Sequence, residues 1–168
     1  MHPSEHHPAP AASPAQEPMH KNPYRSLLVM IILSFISMYI LMYAMVNTPG
    51  NVLNNLNEVY MAALMTAPMV VIELTVMSMM YPDKRRNAIL IGASVLAAIL
   101  FFTFIQQQTA VGDRQFLRSM IPHHAGAITM CESASLTDPE IIQLCDAIIA
   151  NQQSEINQMK LLLENLEK

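Results

Sequence analysis

Three stretches of the chain run almost without charge, and their lengths predict what they do. Residues 27–46 read LLVMIILSFISMYILMYAMV, residues 59–80 carry one acid, Glu73, and residues 88–105 form a third apolar run. Each is close to the ~20 residues that cross a hydrocarbon core of ~30 Å. The pattern therefore predicts three membrane-spanning helices, at about 27–46, 59–80 and 88–105. A cleaved signal peptide fits the first run poorly, because that run is long, starts late and lacks a small-residue cleavage site. Tyr24, Tyr43, Tyr60 and Tyr81 fall near the run ends, where amphipathic rings prefer the headgroup zone.

Beyond QQQTAVG the pattern changes to that of amphipathic helices. One runs from about Asp113, a candidate cap, to about Ser135. TDPE, Thr137 to Glu140, then reads as a second start, with Thr137 as N-cap and proline in the first turn. Ile141, Cys145, Ile148, Gln152, Ile156, Met159, Leu163 and Leu166 recur at steps of three and four, one continuous stripe. A tight turn between two such helices predicts an antiparallel hairpin. Residues 1–23 are rich in Pro, Ala and His and cannot bury a core, so disorder is expected there. The fold class is all-α, divided into a tail over 1–23, a three-helix membrane domain over 24–105 and an extracytoplasmic hairpin domain over 106–168. One hairpin has one seam, and fewer than ~70 residues seldom make a self-sufficient core. Homodimerisation into a four-helix bundle is the expected solution.

Composition agrees with a membrane protein: 52% of residues are hydrophobic and 13% charged. A net charge of -4 offers no basic face for nucleic acid. Lys21 and Arg25 precede the first run, and Lys84, Arg85 and Arg86 fill the link between the second and third, whereas residues 47–58 hold no Lys or Arg. The positive-inside rule then places the N-terminus in the cytoplasm. Three crossings carry everything after Ile105 to the other side; Arg114 and Arg118 are a mild contrary signal.

The candidate chemistry lies in SMIPHHAGAITMC, Ser119 to Cys131. At about 100° per residue, Phe116, Met120, Ala127, Cys131 and Ala134 centre one face, flanked by His124 on one side and by His123 and Met130 on the other. In the hairpin register Cys131 comes level with Cys145, His124 with Gln152, Met120 with Glu155, and Met159 with Phe116. Imidazole and thioether on one layer suit Cu(I) or Ag(I) better than hard ions. Gln152, an amide in an apolar stripe, needs a partner such as a histidine N–H. The alternative is structural: Met fills cores, and a histidine on an apolar face is commonly hydrogen-bonded core. Pro122 either bends the helix to aim the histidines or opens a first turn. Met38, Met42 and Met45, with Met61, Met65 and Met69, form either a thioether path in the outer half of the membrane or flexible packing. Glu73, read as lying mid-membrane, either faces an ion path or is a neutral carboxyl bonded to Ser34 or Ser37. His2, His6, His7, Met19 and His20 could trap copper, or form a solvated tail. No Ser/His/Asp set, pair of buried acids or paired Glu-x-x-His motifs on facing helices can be read in the chain, so an enzyme is not expected.

FLRSMIPHHAGAITM followed by LCDAIIANQQSEINQMK resembles domain of unknown function 305, a bacterial helical family grouped with ferritin-like folds, over about Asp113 to Leu166. Some members are associated with periplasmic copper binding and copper tolerance. The resemblance implies copper(I) ligands at Met120, His123, His124, Met130 and Met159; the hairpin register adds Gln152 and Glu155 as candidate supporting residues. It also implies a bacterial inner membrane, with the hairpin in the periplasm beside other copper-handling proteins. Two departures stand out. The chain carries one copy on three spans, where the family often has soluble or tandem domains, and Cys131 and Cys145 replace small residues such as Ala. Facing each other in an oxidising compartment, they are expected to form a disulfide; paired thiolate ligands and free thiols are the alternatives. The function expected is membrane-anchored binding of copper(I) for sequestration or handover, the alternative a metal-free interaction or sensor module.

Overall fold

The computed structural model describes residues 22–166 and 168. The histidine-containing tail lies outside the described residues through residue 21, whereas Pro23, expected to end it, opens the first helix. Among the described residues the chain is five α-helices and two short 3-10 turns, with no strand: α1 Pro23–Leu41, α2 Leu56–Val76, α3 Lys84–Gln107, α4 Asp113–Ser133 and α5 Pro139–Leu166.

Local chemistry sets most of the helix starts. Asn22 Oδ1 accepts from the Tyr24 N–H at 3.1 Å, and Pro23 takes the first turn, where a missing N–H costs nothing. Asn55 Oδ1 caps α2 through the Glu58 N–H, and Asp83 Oδ1 caps α3 through the Arg86 N–H, each at 3.0 Å. Two caps differ from expectation. Asp138, not Thr137, caps α5, its Oδ1 accepting from Glu140 N–H and Ile141 N–H. At α4 the cap position is Gly112, and Asp113 lies in the first turn, where its charge meets the positive end of the helix.

α1, α2 and α3 are long and apolar enough to cross a membrane. α2 is the central one, packing against both α1 and α3. It buries Tyr60, Ala62, Thr66, Ala67, Val70 and Leu74, whereas α3 buries none of its residues. The first helix ends at Leu41, short of the expected Val46. Residues 42–45 continue as tight turns, with Tyr43 N–H donating to the Ile40 carbonyl and Ala44 N–H to that of Leu41. A phenol sets this departure: the Tyr43 hydroxyl donates to the Leu53 carbonyl at 2.9 Å, folding the link back on itself. Burial, with Tyr39 beside it, holds that phenol well above its ordinary pKa range, so it remains a neutral donor. The second helix also ends early, at Val76. Glu73 therefore sits in its last turn rather than mid-membrane, and its partner is the Tyr81 hydroxyl at 3.1 Å, not Ser34 or Ser37.

The hairpin stands on the end of the bundle where α3 stops and the α1–α2 link turns. Gln108 and Ala110 adopt left-handed backbone, φ 49° and 60°, uncommon for side-chain-bearing residues. Tyr60 holds this reversal by donating to the Thr109 carbonyl at 3.0 Å, and the Gln115 amide oxygen accepts from Leu56 N–H. Within the hairpin, Leu117, Ile121, Ala125 and Ile128 of α4 meet Ile156, Met159 and Leu163 of α5. Val46 and Leu53 of the link pack against the same cluster. Ile121, Ile128 and Ile156 are fully buried, each contributing ~1.5–3 kcal/mol. The apolar face of α4 is thus turned nearly a third of the way round from the one expected: Phe116 is 50% exposed, and the seam begins at Leu117.

A disulfide joins Cys131 to Cys145 near the hairpin turn, with Cα atoms 5.3 Å apart. Closing a loop of this size stabilises by about 3 kcal/mol on the chain-entropy account. Replacing both cysteines with Ser is expected to lower the hairpin's melting temperature by several degrees, followed by circular dichroism in detergent. Reductant should do the same to the parent protein, and an unchanged melt in both would show that the apolar seam suffices.

Candidate metal site

α4 is apolar on two sides, and its two histidines serve different sides. His124 points into the seam and is 7% exposed. Its Nδ1 lies 2.8 Å from the Met120 carbonyl one turn back, and its Nε2 lies 2.7 Å from Glu155 Oε2 on α5. Both ring nitrogens thus face oxygen partners, and neither can take a metal without giving up a hydrogen bond. Glu155 comes level with His124 rather than with Met120. Gln152, expected to pair with the histidine, has a buried amide oxygen with no hydrogen-bond partner. Met159 is buried in the seam and Met120 packs half-buried against it.

His123 and Met130 lie on the opposite side of α4, turned toward the α1–α2 link. They line a cleft of about 250 Å³ with Met42, Met45, Val46 and Glu58, floored by Pro122, Gly126 and Ala127. The two imidazole rings are 5.9 Å apart, roughly edge to face. Among the described residues, neither ring nitrogen of His123 has a hydrogen-bond partner. Of the five sulfur and imidazole side chains expected to gather, the structure brings His123 and Met130 to one cleft. It leaves Met120, His124 and Met159 on the seam side. Among the described residues, no three His, Cys, Asp or Glu side chains cluster as metal ligands, so a site here has to draw on thioethers.

Three of the cleft's sulfur-bearing or charged residues come from outside the hairpin. Met42 and Met45 stood out in sequence as part of an intramembrane stripe, but the early end of α1 carries them to the link. Glu58 carried no such signal. An acid in the first turn of a helix is ordinary dipole complementation, and nothing in the chain marks it as a cleft residue.

Three apolar helices bearing a disulfide-closed helical hairpin, with a His/Met cleft at the joint, define the class of protein. Residues 103–163 match the family described as domain of unknown function (DUF305). The chain is 34% identical over 120 residues to "Uncharacterized protein L153" of Acanthamoeba polyphaga mimivirus, covering 70% of this chain and 77% of the relative. The chain belongs to the DUF305 family. Residues 103–168 cannot hold an alignment of that length, so the likeness to the viral protein extends into the apolar helices. No solved structure matches.

Substituting Glu155 with Ala leaves a buried imidazole nitrogen without its partner. The expected cost is about 1–3 kcal/mol, read as a lower melting midpoint of the full chain. Glu155→Gln retains an acceptor and should recover most of it, whereas equal losses for the two variants would show that the hydrogen bond contributes little.

Proposed function

We propose that this protein binds copper(I), or a similar soft monovalent ion, at the outer surface of a membrane and holds it for sequestration or handover. One observation carries the reading: His123, its ring nitrogens without protein partners, shares a cleft with the Met130 thioether. An imidazole and thioethers in a water-accessible cleft match the preferences of Cu(I) and Ag(I) rather than of Mg²⁺ or Ca²⁺. The copper tolerance associated with some members of the family points the same way. In this proposal His123 and Met130 are ligands. Met120, His124 and Met159 shape the seam behind them, and the His124–Glu155 pair keeps α4 in register with α5.

The same proposal puts the hairpin on the extracytoplasmic side. The links agree: Lys84, Arg85 and Arg86 lie at the end remote from the hairpin, and the link without Lys or Arg lies beneath it. It also includes a homodimer. Phe116, Leu162 and Leu166 line an apolar groove at one end of the hairpin, and Ile141 and Leu144 are exposed at the other, enough to favour a second copy. A membrane-anchored interaction or sensor module without metal is the second reading, favoured by His124, whose two nitrogens are committed to structure.

Anaerobic Cu(I) titration of the full chain in detergent, against a chromophoric chelator, tests the reading. The parent protein should bind about one ion per chain. His123→Ala/Met130→Leu should weaken binding tenfold or more, about 1.4 kcal/mol per decade. Equal affinity for variant and parent would leave the interaction module as the function. A phosphatase that is active only outside the cytoplasm should be active when fused after residue 168, and an inactive fusion would reverse the orientation. Light scattering of the detergent-solubilised chain should give a dimer mass, and a monomer across the micromolar range would remove the bundle.

A further inference from the structure

We infer that the metal site is built jointly by the hairpin and the membrane part, with Met42 and Met45 of the α1–α2 link as ligands beside His123 and Met130, and Glu58 as the charge that balances the ion. The inference rests on the copper(I) reading above and specifies where the remaining ligands come from.

The hairpin by itself offers the cleft two soft donors, one imidazole and one thioether. The remaining sulfur-bearing residues that line it are Met42 and Met45, which lie outside the matched domain at 103–163. Their position follows from how α1 ends. Because residues 42–45 leave the helix as turns, Met45 is carried against α4. A Cβ built on Gly126 would stand 3.8 Å from the Met45 Cβ and 3.9 Å from its carbonyl oxygen. Backbone approach at that distance brings the link methionines onto the face of α4 that holds His123 and Met130. Four residues that carry neutral soft donors, from two parts of the chain, then line one cleft.

Glu58 supplies a second, independent observation. Its Oε2 is buried and has no hydrogen-bond partner among the described residues, and Glu58 is one of the residues that line the same cleft. A buried carboxylate oxygen without a partner is costly unless the acid takes up a proton or a cation or donor meets it. A soft monovalent ion held by neutral ligands would need one negative charge nearby, and Glu58 is the acid that lines the cleft. An ion bound in this way bridges α4 to the link, so occupancy and docking of the hairpin become one equilibrium.

The test uses the full chain in detergent with Cu(I), and with Ag(I) as a redox-inert probe. Met42→Leu/Met45→Leu should weaken binding at least tenfold while Met65→Leu, outside the cleft, leaves it unchanged. X-ray absorption of the Cu(I)-loaded parent should show one nitrogen and at least two sulfur neighbours, a measurement that needs no variant. Ag(I) should slow amide exchange in residues 42–55 of the parent, and less so in Glu58→Gln. If Met42→Leu/Met45→Leu binds like the parent while His123→Ala does not, the site belongs to the hairpin alone; this inference falls and the copper reading stands. If neither variant changes affinity, or the parent binds no Cu(I), both fall. A single sulfur neighbour in the absorption spectrum would also overturn the shared site.

Discussion

The seam between α4 and α5 decides where every other side chain of the hairpin points. Leu117, Ile121, Ala125 and Ile128 are committed to Ile156, Met159 and Leu163, and that commitment leaves α4 a single rotational setting. With Ile121 and Ile128 inward, His124 must enter the seam, and His123, one residue earlier and about 100° round, must face away. The two adjacent histidines thus acquire unlike surroundings from helical geometry alone. One is locked between a carbonyl and a carboxylate; the other looks across a cleft at methionines. The seam contributes most of the hairpin's favourable burial, and the disulfide near its turn limits how far the two helices can separate.

The first apolar helix completes the cleft by being shorter than its apolar run. A continuous helix to Val46 would have carried Met42 and Met45 up a straight axis. The Tyr43–Leu53 hydrogen bond instead turns the link over, and Val46 and Leu53 are drawn into the hairpin's own core. The link therefore has two attachments to α4, an apolar one through Val46 and Leu53 and a closer one where Met45 meets Gly126. The hairpin is packed against the membrane part, and its cleft is a product of that packing.

Much of this architecture was legible in the sequence. Length and charge mark the three apolar helices, and the TDPE stretch and apolar periodicity mark the hairpin; these signals are local and strong. The rotational setting of α4 was not legible. Met120, Ala127 and Met130 are as apolar as Leu117, Ala125 and Ile128, so a helix covered on two sides shows two competing stripes, and periodicity cannot say which one meets α5. The expected face centred on Phe116 and Met120 follows from that ambiguity. The end of α1 was equally hidden, because the deciding hydrogen bond joins residues ten apart in a run with no breaker before Pro49. Glu58 looked like an ordinary first-turn acid, and Glu73 looked mid-membrane only because the end of α2 had been set too late.

The reversal at Gln108 and Ala110 has a mechanical meaning. Two left-handed residues, pinned by Tyr60 on a neighbouring helix, make a stiff elbow in place of a tether. Whatever plane the apolar helices settle into, the cleft comes to rest at one fixed height above it, with one fixed heading. On the copper(I) proposal, a partner moving within the same sheet of lipid would meet the cleft repeatedly in the same pose.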